Sequence, residues 1–131
     1  MNFRLLIFFL LLSCDNGLNK TSPDEIRVLI NSGIVNKIVE GNFIIGEEKQ
    51  TIFIKDLLFN ANDSRISHHY RFKGISVFQS KMIALKKISG LNPPNIIKSE
   101  SDSTIIKFYY DWALKNKYIK NTSSPKSTFK K

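Results

Sequence analysis

The chain has 131 residues, enough for one domain with a hydrophobic core, and its 20 Lys and Arg against 11 Asp and Glu give a formal charge of +9. A single cysteine excludes a disulfide framework within the chain, and one cysteine with two histidines falls short of a structural zinc site of four Cys/His ligands. The charge suits an anionic surface, and it equally suits an exported domain kept soluble by lysine.

The first element is Met1 to Cys14. Arg4 precedes an unbroken apolar run from Leu5 to Leu12, which closes on Ser13 and Cys14. Cation, apolar run and small residue follow in the order of a secretory signal. Eight apolar residues rise about 12 Å as a helix against a hydrocarbon core of about 30 Å, too short for a permanent span. Leu11-Leu12-Ser13-Cys14 resembles the lipobox of bacterial lipoproteins, with Leu12 standing where a small residue is more usual. The resemblance covers the leader alone. It implies cleavage before Cys14, a diacylglycerol on the Cys14 sulfur, and acylation of the new amino terminus by palmitate or a similar acid. It also implies a lipid-anchored place at a bacterial cell membrane or outer membrane, exposed outside the cytoplasm. Two or three acyl chains exceed the marginal, reversible binding that one chain gives. The expected organisation is a cleaved signal over 1–13, a lipidated Cys14 with a polar tether over 14–21, one domain over 22–120, and a basic tail over 121–131.

Ser22-Pro23-Asp24-Glu25 opens the body as a helix start: serine N-cap, proline at the first helical position, and a glutamate that completes a capping box. Gly33 marks its end. From Ile34 to Phe59, β-branched and aromatic clusters flank the polar Gly46–Gln50, which predicts a hairpin of roughly 42–46 and 50–55. Lys55–Phe59 extends the second strand or begins a helical turn. Ile66, His68, Tyr70 and Phe72 alternate up to Gly74, predicting two strands that turn near Lys73-Gly74, or one strand bulged there.

Phe78, Met82, Leu85 and Ile88 fall at helical spacing before Gly90, predicting a helix over about 78–89, with a strand over Ser80–Ile88 as the competing reading. Pro93-Pro94 stiffens the connection that follows. Ile105 to Ile119 is amphipathic at period 3.6 and predicts a C-terminal helix over about 103–117. The order implies an α+β domain: a small antiparallel sheet with an N-terminal helix and one or two C-terminal helices packed on one face.

Few groups carry chemistry. His68 and His69 point to opposite faces of a strand, so they share no metal. Glu47-Glu48, Asp24/Glu25 and Glu100/Asp102 fit turns and helix starts without a cleft. The reading is a non-catalytic envelope lipoprotein, with no cofactor, no metal and no nucleic acid, acting through protein–protein contacts in an envelope complex or as an immunity-type inhibitor. Its candidate ligand or partner surface is Tyr109, Tyr110, Trp112, Lys115 and Lys117. Beyond Asp111 the chain holds lysines and no acid, a candidate contact with anionic lipid or polymer. The rivals are a module that binds peptidoglycan or polysaccharide and an envelope hydrolase.

Overall fold

A computed structural model describes residues 19–121; the signal, Cys14, most of the tether and all but the first residue of the tail lie outside them. The described residues form helices α1 (Pro23–Ile30), α2 (Val35–Glu47), α3 (Ile54–Leu58), α4 (Val77–Ser89) and α5 (Ser103–Lys115), with a 3-10 turn Thr51–Phe53 leading into α3. The α+β expectation is overturned. No sheet occurs among the described residues; one isolated antiparallel bridge, Ile66 to Ser76, is all the β pairing there is.

The hairpin fails because residues 42–46 lie within α2 and 50–55 form the turn into α3. Ile38, Val39, Asn42, Ile45 and Gly46 are buried, a stripe at steps 0, 1, 4, 7 and 8. Two members of that stripe are a glycine and an asparagine, so hydropathy alone broke it into short clusters. Their roles come from neighbours. A Cβ on Gly46 would lie 2.8 Å from Ala84 Cα, and one on Gly41 would lie 2.7 Å from Ile30 Cγ2, so α2 touches α4 and α1 at glycine. Packing of this kind overrides β-branched propensities worth tenths of a kcal/mol per residue.

The other ends are capped locally. Ser22 Oγ accepts from Glu25 N–H at 3.2 Å, as the capping motif requires, and Gly33 follows with φ +73°. Ser76 caps α4 by accepting from Gln79 N–H, and Gly90 (φ +69°) ends it. Asp102 caps α5, accepting from Thr104 and Ile105. The end of α5 falls two residues before the expected 117. There Tyr118 N–H bonds Ala113 O and Lys117 N–H bonds Leu114 O, a Schellman motif with Lys117 left-handed at φ +62°. Lys49, at φ +49°, ends α2 in the same way, with Gln50 N–H on Ile45 O. Lysine holds the place usually given to glycine, which hid both stops in the sequence.

Residues 63–76 form a compact loop rather than strands. Ser67 N–H bonds Ile75 O, Gly74 N–H bonds Ser67 O, and Val77 N–H bonds Arg65 O. Gly74 turns at φ +82°, where the sequence placed the reversal. Phe53, Leu57, Phe78, Met82, Leu85 and Tyr109 fill the main core, and a smaller cluster of Ile38, Val39 and Val77 lies under the loop.

Candidate functional site

Direction along α2 separates two poles. α4 runs beside it in the same sense: Asn42 Nδ2 donates to Ser80 Oγ at 3.0 Å, Gly46 meets Ala84, and Lys87 pairs with Glu47. α1 runs the opposite way, with Thr21 beside Glu48 and Ile30 beside Gly41. One pole therefore collects the start of α1 and the ends of α2 and α4. The end of α5 joins them, since Trp112, Lys115 and Asn116 share a shallow cleft of about 500 Å³ with Ser89 and Leu91.

At this pole the chain enters the body through a clamp. Thr21 N–H donates to Glu48 Oε1 at 2.5 Å, while Gln50 Nε2 donates to Thr21 O at 2.9 Å and to Glu48 Oε2 at 3.0 Å. Burial works to raise the Glu48 pKa, but the Thr21 and Gln50 hydrogen bonds and the charge of Lys20 outweigh it and hold the carboxyl below its ordinary value. Beside the clamp lies an open groove of about 840 Å³. Gly46–Lys49, the last turns of α4 and the Pro93–Ile97 connection form it, with Ile83, Ile96 and Ile97 on its apolar wall. Ile96 is 79% exposed.

The expected surface divides. Tyr109 belongs to the core: it is fully buried, its hydroxyl donates to Leu91 O at 3.0 Å, and burial raises its phenol pKa. Tyr110 is exposed. Trp112 is half-buried, lines the cleft and meets the Tyr118 ring at 5.3 Å with the planes tilted by 35°. Lys115 lines that cleft, and Lys117 is exposed in the α5 cap. The sequence reading missed Lys49, Lys86 and the Leu91–Ile97 connection at the same pole; the only signal for them was the diproline.

The loop 63–76 seats on α2 from Asn36 to Phe43. Ser67 Oγ donates to Asn36 Oδ1 at 2.6 Å, and Phe72 stacks on Phe43 at 5.5 Å. Tyr70 is 83% exposed, its ring 4.5 Å from that of His69, and the Arg71 guanidinium lies 5.2 Å from the Phe72 ring centre. His68 is exposed and His69 half-buried, and among the described residues no group of three or more His, Cys, Asp or Glu stands ready for a metal.

Several of the acids are engaged one by one. Asp63 takes a two-pronged bond from Arg65, which holds its pKa low against the effect of burial. Asp24 pairs with Arg27, Asp102 caps α5 and accepts from Asn95, and Glu100 is exposed. Lys81, buried on α4, donates to Phe59 O at 2.6 Å and Asp56 O at 3.4 Å, closing the end of α3. Desolvation lowers its pKa, and Asp63 and Asp56 oppose that shift. No helix among the described residues is long and apolar enough to cross a membrane. No family model matches this chain, and no curated protein or solved structure matches it.

Proposed function

We propose that the chain is a lipid-anchored protein of the bacterial envelope, non-catalytic, that acts by binding the acidic face of another protein. The anchor rests on Leu11-Leu12-Ser13-Cys14. The binding role rests on one observation: Tyr70, 83% exposed, sits on a loop fixed by its own hydrogen bonds and backed by packed rings. A rigid exposed tyrosine beside arginine is the chemistry of an interface anchor, because little side-chain freedom is lost on docking. Arg71 and Lys73 flank it, and the loop's one acid, Asp63, is already held by Arg65. That charge selects a partner surface bearing carboxylates. An assembly component and a toxin held in check both answer this description.

The test places a photo-reactive phenylalanine analogue at position 70 in cells of the native type. A discrete adduct is expected, abolished by Arg71→Glu while fatty-acid labelling of Cys14 persists. An absent adduct, or one indifferent to Arg71→Glu, refutes the binding role; an unlabelled wild type, or label retained by Cys14→Ala, refutes the anchor. A second reading, capture of a glycan strand, draws on the Trp112 and Tyr118 rings in contact beside the cleft. Trp112 is the only tryptophan, so soluble peptidoglycan fragments that shift its fluorescence would favour that reading.

A further inference from the structure

The lipid-anchor reading leaves open which way the body faces, and the clamp supplies an answer. We infer that the pole formed by the ends of α2, α4 and α5 lies against an anionic bilayer, with its lysines on lipid headgroups and the Leu91–Ile97 connection at the interface. The inference rests on the proposed anchor and adds an orientation to it.

Six residues separate Cys14 from Thr21, seven Cα-to-Cα steps that span at most about 25 Å fully extended. Because Thr21 is bonded to Glu48 and Gln50, that span begins at this pole rather than at a free terminus. From Asn36 to Glu48 the α2 axis covers about 18 Å, so the loop bearing Tyr70 is set back from the pole by much of the body's length. The anchor thus holds one end near the membrane and leaves the Tyr70 loop free for a protein.

The pole's chemistry suits that position. Lys20, Lys49, Lys86, Lys115 and Lys117 are exposed there, and Lys87 is paired with Glu47. Of the facing acids, Glu47 pairs with Lys87, Glu48 is held in the clamp, Asp111 pairs with Lys107 at 2.5 Å and Asp102 caps α5, which leaves Glu100, exposed in the cleft beside Ile96, against five exposed lysines. Two of these lysines, Lys49 and Lys117, occupy left-handed positions where glycine fits without strain. Strained residues that gather at one surface mark a place where the side chain has a task. Between the lysines, Ile96 stands 79% exposed and Leu91 42% exposed on a backbone stiffened by Pro93 and Pro94. An apolar tip with a basic surround is the pattern of a segment that rests in the headgroup layer. Among the described residues, the opposite pole has no such combination beside a tether.

The experiment reconstitutes the full chain, purified from its own membrane, into vesicles of phosphatidylcholine alone or with 30% phosphatidylglycerol. A water-soluble amine reagent then labels lysines, which are read one by one by mass spectrometry. Each lysine at an anionic surface is favoured by about fivefold, so Lys49, Lys86 and Lys115 are expected to label at least about fivefold more slowly with phosphatidylglycerol present. Lys37 and Lys73, away from the pole, are expected to stay unchanged. Equal slowing of all lysines, slowing of Lys37 and Lys73 alone, or no slowing overturns the orientation. Soluble polyglutamate that slows the same lysines in neutral vesicles as strongly as the anionic lipid does overturns the assignment to a bilayer in favour of a polymer. The N-terminal peptide mass from the same digest reports the anchor separately. If it lacks lipid, the anchor proposal fails, and coupling Cys14 through its thiol to a maleimide lipid decides the orientation by the same lysine pattern.

Discussion

Gly46→Ala opposes two effects of known size. Alanine in place of glycine inside a helix favours folding by about 1 kcal/mol. At Gly46 the new methyl would stand 2.8 Å from Ala84 Cα and 3.2 Å from Ala84 Cβ, about 1 Å inside normal contact with backbone that cannot swing aside. Relief requires α2 and α4 to part by several tenths of an ångström, and such a gap forfeits a quarter or more of each dispersion contact along the seam. It also stretches the Asn42–Ser80 bond, now 3.0 Å. Overpacking costs about 1–3 kcal/mol, and rigid backbone on both sides places this site at the upper end. The net is a loss of about 1–2 kcal/mol. At Gly41 the methyl would stand 2.7 Å from Ile30 Cγ2 and 3.1 Å from Leu29 Cβ. A β-branched side chain is held to one χ1 rotamer in a helix and a Cβ moves only with its backbone, so Gly41→Ala also overpacks and costs about 1–2 kcal/mol net. Urea unfolding followed by circular dichroism measures both. With a slope of about 1–1.5 kcal/mol/M for a domain of this size, Gly46→Ala and Gly41→Ala each lower the midpoint by about 1 M. A variant stabilised by alanine at either site would refute the glycine-mediated contact there.

Lys49→Gly and Lys117→Gly relieve left-handed backbone and should each raise stability by about 0.5–1 kcal/mol in the same assay, while weakening the contact with anionic vesicles. Tyr109→Phe should cost about 1 kcal/mol at neutral pH through the lost bond to Leu91 O. The folded phenol stays protonated above pH 10 where the unfolded one ionises, so wild-type stability falls from about pH 10 upward and the gap to the variant closes, as urea titrations at pH 8, 10 and 11 would show. Glu48, held below its ordinary pKa, contributes stability present above about pH 4.5 and lost as pH falls through its lower folded value. Glu48→Gln should therefore flatten the acid side of the pH–stability curve and speed hydrogen exchange at Thr21.

Local signals were legible where one residue and its near neighbours decide the conformation. Ser22-Pro23 started α1, the step pattern from Phe78 to Ile88 with Gly90 outlined α4, and Asp102 and Ile105 onward outlined α5. The burial of Tyr109 was not legible, since amphipathic spacing gives a face without saying whether its end meets solvent or, as here, a carbonyl at Leu91.

From sequence alone came the three capped helices, the turn at Gly74 and the excess of lysine, because each depends on order along the chain or on composition. Only the tertiary structure decided that Val35–Glu47 and Ile54–Leu58 are helical and that the lysines of three helix ends share a pole with Thr21. Both depend on approach: α2 exists as a helix because Gly41 and Gly46 admit α1 and α4 to contact distance, and no local propensity encodes which neighbour will arrive.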